Sequence, residues 1–94
     1  MSERRAVVIG GAGFLGKRLV TMLGGGDGSL EPSPAWPRFD HVHVLDQAPY
    51  SENPPTRLHR ERRGVGLSTA TGDIRSKSDL RSALEGAHTV FHLA

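Results

Sequence analysis

Residues 7–20 read VVIGGAGFLGKRLV, in which a β-branched apolar run gives way to closely spaced glycines and then to a mixed apolar and charged segment. The apolar run is typical of a strand that is buried on both faces of a parallel sheet. After the glycines, Leu15, Leu19, Met22 and Leu23 recur at helical spacing and predict one apolar helix face. The stretch therefore predicts a strand, a tight turn and a helix in direct succession.

The rest of the chain repeats this alternation. HVHVLD at residues 41–46 predicts a second strand, residues 65–71 a weaker third strand, and residues 89–93 a fourth. SKSDLRSALEG at residues 76–86 predicts a helix whose N-cap is Ser76. Strands that alternate with helices imply a parallel sheet with right-handed crossovers, so we expect an α/β chain with about four strands and two main helices.

Two segments are expected to be irregular loops. Residues 24–40, GGGDGSLEPSPAWPRFD, are rich in glycine, proline and serine, and Trp36 and Phe39 are expected to hold this loop against the domain. Residues 47–64 contain Pro54-Pro55, which we expect to exclude regular structure there.

Composition excludes several classes of protein. The chain has 94 residues, which suffices for one small domain, and its net charge is +2 with 12 basic and 10 acidic side chains. This near balance does not favour nucleic acid as a partner. There is no cysteine and the histidines lack metal-ligand spacing, so we expect neither disulfides nor a metal site. We expect no signal peptide and no membrane-spanning segment, and we expect the chain to face the cytosol.

The glycines after the first strand fit two overlapping motifs. Gly10, Gly13 and Gly16 fit G-x-x-G-x-x-G, and Gly11, Gly13 and Gly16 fit G-x-G-x-x-G. Between a buried strand and a helix this pattern is the fingerprint of dinucleotide binding, because bare main-chain amides at a helix N-terminus accept a pyrophosphate. The predicted fold is accordingly the N-terminal half of a doubly wound Rossmann-type unit, spanning residues 1–94. The alternative is a glycine-rich turn that binds no ligand.

Asp46 ends the second strand, where dinucleotide-binding domains place an acidic residue that accepts hydrogen bonds from the adenosine ribose. A carboxylate there repels a 2′-phosphate and so favours NAD over NADP. Four arginines follow in the predicted loop and offer the opposite interpretation, because arginine binds such a phosphate; we expect them to be solvated instead. They are Arg57, Arg60, Arg62 and Arg63. Asp46 as a solvated turn residue is the alternative.

These segments, together with TGDIRSKSDLRSALEGAHTVFHLA at residues 71–94, resemble the N-terminal part of the extended short-chain dehydrogenase/reductases, and within them the 3β-hydroxysteroid dehydrogenase group. The resemblance implies hydride transfer from a steroid 3-hydroxyl carbon to NAD. It implies that Asp73 lies near the adenine amino group, although a turn role at the helix entry is the alternative, and that His92 is structural rather than catalytic. The cofactor-binding positions expected in all are Gly10, Gly11, Gly13, Phe14, Leu15, Gly16, Asp46, Asp73, Ile74, Leu93 and Ala94.

The superfamily's catalytic Tyr-x-x-x-Lys pair is not among these residues. The one tyrosine, Tyr50, has Pro54 four positions later. We therefore assign no catalytic residue and expect an N-terminal fragment that is inactive alone, with a sterol substrate and endoplasmic reticulum association as properties of a full-length relative. The alternatives are a nucleotide-sugar epimerase or reductase of the same superfamily, and a non-catalytic dinucleotide-binding module.

Overall fold

In the computed structural model, which describes residues 3–93, four strands and three helices alternate along the chain. The strands are β1 (Arg5–Ile9), β2 (His41–Asp46), β3 (Gly66–Thr71) and β4 (Thr89–His92), and the helices are α1 (Phe14–Leu23), α2 (Pro54–Arg62) and α3 (Lys77–Leu84). All strand pairs are parallel, in the order β3-β2-β1-β4. The four predicted strands and the α/β Rossmann-type class are confirmed.

Both faces of the sheet are covered, which explains why β1 is apolar without alternation. Val8 belongs to a buried cluster with Val20 and Leu23 of α1, whereas Val7 belongs to a second cluster with Ala83 of α3. Consecutive strand residues point to opposite faces, so each must be apolar when a helix lies on either side. The helices thus pack on opposite faces, as a doubly wound sheet requires.

The apolar face predicted for α1 is confirmed at Leu19 and Leu23, which pack on the core, but it is wrong at Leu15. Leu15 is 72% exposed, whereas Gly16, Val20, Thr21 and Leu23 are buried. Gly16 packs directly against the backbone of the preceding turn, so it lies on the buried face of the helix. Leu15, one position earlier, therefore faces outward in the first turn. The Thr21 hydroxyl is satisfied inside the helix, because it donates to the Lys17 carbonyl at 2.9 Å.

The expectation of an irregular loop over residues 47–64 is wrong, because Pro54–Arg62 forms α2. Pro54 and Pro55 occupy the first helical positions, where a missing N–H costs nothing and the fixed φ angle suits a helix. The prolines therefore begin this helix and do not prevent it. Gly64, with φ of +71°, follows the helix in the left-handed conformation that is common after a helix end.

The expectation that the arginines after β2 are all solvated is wrong, because Arg60 is largely buried. Arg60 donates to both carboxylate oxygens of Glu52, at 2.8 and 2.9 Å, and to the Val65 carbonyl at 2.8 Å. The Arg60 and Glu52 side chains are only 14% and 10% exposed. This pair fixes α2 to the segment before it. Arg57, by contrast, is exposed and faces Glu61 one turn away.

The segment 24–40 is irregular, as predicted, and one of its two aromatic residues holds it in place. Phe39 is 4% exposed and packs edge-on against Phe91 of β4, with ring centroids 6.4 Å apart. Trp36 is 38% exposed and so is not held in the same way. The loop joins the C-terminus of α1 to the start of β2, at the end of the sheet remote from the carboxyl ends of the strands.

The predicted N-cap of α3 is confirmed. The Ser76 hydroxyl accepts a hydrogen bond from the Asp79 amide at 3.3 Å. Ala83 is buried and Leu80 and Leu84 are partly buried, so these three residues form the apolar face of this helix.

Candidate functional site

A cleft of about 460 Å³ opens at the carboxyl ends of the strands. Its volume lies in the range of small-molecule sites. The chain runs from β1 outward to β2 and β3 and then returns to place β4 on the other side of β1. The carboxyl ends at such a reversal are where open α/β sheets bind ligands. The lining residues are Gly10, Ala12, Gly13, Leu45, Asp46, Gln47, Ala48, Gly72, Ile74 and Leu93.

The glycine turn is held by close backbone packing. Gly10 has a φ of +87°, a conformation that other residues rarely adopt, and its amide donates to the Leu45 carbonyl at 2.8 Å. A Cβ atom at Gly16 would lie 2.3 Å from the Gly10 carbonyl oxygen, and one at Gly11 would lie 2.6 Å from a methyl group of Val44. These glycines are therefore required for the approach of α1 and β2 to the turn.

Gly13 has a different environment from the other glycines of the motif. A Cβ atom there would meet nothing within 4 Å, and the backbone is extended, with φ of −75° and ψ of 176°. No conformational or packing constraint within the described residues demands glycine here. The space beside Gly13 is open to the cleft, so the corner where β1 leads into α1 is not filled by protein.

Gly13 is also the N-cap of α1, and it brings no side-chain acceptor to the amides of the first turn. No acidic residue lies in that turn either. Phe14 and Leu15 are 78% and 72% exposed, and neither side chain lines the cleft, so these positions offer main-chain amides to a ligand. Unpaired amides and the positive end of the helix dipole make this corner suitable for an anion.

Asp46 connects three loops at the mouth of the cleft. Its Oδ2 accepts a hydrogen bond from the Ala12 amide of the glycine turn at 2.9 Å, and its Oδ1 accepts one from the Ala48 amide at 3.0 Å. Its carbonyl accepts from the Gly72 amide at 2.9 Å. An ionised carboxylate has about four lone-pair positions, so Asp46 retains the capacity to accept from a ligand hydroxyl.

Asp73 follows β3 and is engaged by a neighbouring cation. Arg75 donates to both of its carboxylate oxygens, with a shortest distance of 2.7 Å, and the Arg75 amide donates to Oδ1 at 2.8 Å. These bonds, the Arg75 side chain first, lower the pKa of Asp73 to about 2. Asp73 therefore stays ionised at neutral pH. Its side chain lies beside the cleft and does not line it.

The structure brings many of the predicted site residues together. Gly10, Gly13, Asp46, Ile74 and Leu93 line one cleft, with Gly11 and Gly16 packed behind them. Ala94 lies outside the described residues. The predicted cofactor-binding positions did not include five residues of this lining, which are Ala12, Leu45, Gln47, Ala48 and Gly72. Of these, Gln47 and Ala48 could have been found from their place directly after the acidic residue of β2.

A polar cluster that the sequence did not reveal lies on the face of the sheet that α3 covers elsewhere. The Ser68 hydroxyl lies 2.7 Å from Nε2 of His41 and 2.6 Å from Nδ1 of His43. Burial, and then the positive charge of Arg5, lower the pKa of both imidazoles. Parallel pairing of β2 with β3 brings these side chains together, although they are more than twenty positions apart in sequence.

None of the helices within residues 3–93 is long and apolar enough to cross a membrane. In the same span, no three side chains of the metal-ligating types are placed to hold an ion.

A parallel doubly wound sheet with a glycine turn after β1 and a carboxylate at the end of β2 defines an α/β unit of the Rossmann type. The chain belongs to the 3-beta hydroxysteroid dehydrogenase/isomerase family, whose family model matches residues 7–94. The predicted resemblance to the 3β-hydroxysteroid dehydrogenase group is confirmed.

Two curated relatives match nearly the whole chain. The chain is 34% identical over 91 residues to human sterol-4-alpha-carboxylate 3-dehydrogenase, decarboxylating. This match covers 97% of the chain and 18% of that protein. It is also 34% identical over 90 residues to 3-beta-hydroxysteroid dehydrogenase of Mycolicibacterium neoaurum, and this match covers 96% of the chain and 19% of that protein. The chain thus spans less than a fifth of the length of these relatives. No solved structure matches it significantly.

Proposed function

We propose that this chain forms the adenosine-diphosphate half of the NAD site of a dehydrogenase that acts on the 3-hydroxyl group of a steroid or sterol. The observation that carries the proposal is the open corner beside Gly13, bordered by unpaired helix amides on one side and by Asp46 on the other. The family membership and the two dehydrogenase relatives supply the reaction class.

The residues fit such a cofactor. The first-turn amides of α1 would hold the diphosphate, because they have no capping side chain to compete for them. Asp46 would accept hydrogen bonds from the ribose hydroxyls while the Ala12 amide keeps it oriented toward the glycine turn. Leu45 and Ile74 would give the adenine ring apolar contact. When bound, NAD supplies the hydride acceptor.

The charges at the cleft favour NAD over NADP. Asp46 is the charged residue among those that line the described cleft, and no lysine or arginine is among them. A 2′-phosphate would therefore meet a carboxylate with no compensating cation on the lining. The arginines of α2 do not line the cleft, and the Arg60 guanidinium forms an ion pair with the Glu52 carboxylate.

Catalysis requires groups that these 94 residues do not supply. The family's chemistry, as the resemblance implies, uses a tyrosine whose pKa is lowered by a lysine. Burial raises the pKa of Tyr50 to about 12, which is the opposite shift, and its hydroxyl is buried without a hydrogen-bond partner among the described residues. We propose that Tyr50 is a packing residue and that the chain alone binds cofactor without turnover.

Calorimetric titration of the protein with NADH and, separately, with NADPH tests this proposal. We expect saturable NADH binding, weaker NADPH binding, and loss of NADH binding in Asp46→Ala. Glu61→Gln is the matched control, because it removes an acidic side chain that is 56% exposed and remote from the cleft lining. If neither dinucleotide gives a saturable response, the proposal is wrong.

A further inference from the structure

The Asp73–Arg75 ion pair lies beside the cleft and is held by several hydrogen bonds, and the proposed function leaves Arg75 without a role. Arg75 donates from Nε to both carboxylate oxygens at 3.1 Å and from one terminal nitrogen at 2.7 Å. The Arg75 side chain is nevertheless 84% exposed. The guanidinium is therefore held in place by Asp73 and not by packing.

The pair lies at the rim where β2 and β3 end. Asp73 stands between Gly72 and Ile74, which both line the cleft. The Gly72 amide donates to the carbonyl of Asp46 at 2.9 Å, so the turn that carries Asp73 begins beside the end of β2. Arg75 is thus the guanidinium in the turn after β3, and the first residue of that turn bonds to the proposed ribose acceptor.

We propose that Asp73 determines cofactor preference by sequestering Arg75, so that the guanidinium is withheld from a 2′-phosphate at the Asp46 end of the cleft. This inference rests on the proposed function and names a specificity residue for the same site. Asp73 acts here as a positioning residue for Arg75.

The physical basis is competition for one set of donors. An arginine binds a phosphate through paired N–H groups, and Asp73 occupies one such pair, which comes from Nε and one terminal nitrogen. The ion pair also has no net charge, so it offers a dianion little attraction, and Asp46 adds repulsion from β2. Replacing Asp73 by asparagine removes the charge but keeps an oxygen that can accept from the Arg75 amide, which preserves the local turn.

The experiment compares NADH with NADPH, which differ only in the 2′-phosphate, across the parent, Asp73→Asn and the double variant Asp73→Asn/Arg75→Gln. We expect the ratio of the NADPH to the NADH dissociation constant to fall roughly fivefold in Asp73→Asn, the size expected for one exposed charge contact. The ratio should return toward the parent value in the double variant. High salt should reduce the gain, because the contact is exposed.

The outcomes separate the two proposals. An unchanged ratio in Asp73→Asn, with NADH still binding, overturns the role of Asp73. An equal fall in Asp73→Asn and in the double variant overturns it as well, since the gain would not come from Arg75. Absence of saturable NADH binding by the parent protein overturns the proposed function itself. Unfolding midpoints of all three proteins establish that each is folded during the titrations.

Discussion

Substitution of Gly16 by alanine is expected to destabilise the protein by forcing α1 away from the glycine turn. The new Cβ atom would lie 2.3 Å from the Gly10 carbonyl oxygen and 2.6 Å from the Gly11 Cα, and both are backbone atoms that cannot rotate away. Overpacking of this kind costs about 1–3 kcal/mol. The better helix propensity of alanine returns up to about 1 kcal/mol, so we expect a net loss of about 1–2 kcal/mol.

The assay is thermal unfolding followed by far-ultraviolet circular dichroism, with Gly13→Ala as the matched control. For a domain of this size the loss corresponds to a midpoint lowered by roughly 5–15 °C. Gly13→Ala adds the same methyl group in open space on an extended backbone, so its midpoint should fall by no more than a few degrees, which is the cost of a poorer N-cap residue. Equal midpoints for Gly16→Ala and the parent would refute the reasoning, as would equal destabilisation by both substitutions.

Three further predictions concern charged or titratable side chains. Because the pKa values of His41 and His43 are lowered, the folded state binds fewer protons than the unfolded state. The free energy of unfolding should therefore be constant above about pH 6.5 and fall as the pH drops below that value. Urea titrations at a series of pH values measure this dependence. Glu52→Gln, which leaves its buried arginine without a carboxylate, should lower the free energy of unfolding by about 1–3 kcal/mol, whereas the exposed Glu61→Gln should change it by less than about 0.5 kcal/mol. Asp46→Asn should weaken NADH binding roughly tenfold in calorimetry and reduce the discrimination against NADPH, because a neutral amide is a poorer ribose acceptor and does not repel phosphate; unchanged affinity for both would contradict its assigned role.

The strands were predictable because their signals are local. Val7, Val8, Val42 and Val44 are β-branched, and each short run ends at a glycine or an aspartate. Burial on both faces then follows from the alternation of strands with helices. The position of Asp46 at a strand end could be predicted for the same reason, since it required only the end of the run.

The second helix was not predictable from a rule that treats proline as a helix breaker. Whether Pro54 begins a helix or interrupts one depends on whether residues before it are helical, and Asn53 is extended. The hydrophobic signal of this segment is also weak, since Thr56 is its buried residue. The Arg60 contacts with Glu52 and Val65 hold this segment in place, and they join positions that the sequence alone does not connect.

The shape of the candidate site depends on contacts that are distant in sequence. The hydrogen bond from the Ala12 amide to Asp46 joins residues 34 positions apart, and it exists because β1 and β2 pair in one register. The exposure of Leu15 likewise depends on how closely Gly16 approaches the turn. Periodicity and spacing identify the residue types of the site, but the register decides which of them meet.

The irregular segment between α1 and β2 enters the sheet at the amino end of β2, whereas Asp46 lies at the other end, roughly 17 Å away for a strand of this length. Each doubling of a flexible loop costs only about 0.6 kcal/mol in closure entropy. Insertions or deletions in the mostly exposed part of this segment, between Gly28 and the anchoring Phe39, can therefore accumulate in a lineage without altering ligand chemistry. The same stretch is the natural place to graft an affinity tag or a reporter group onto this protein.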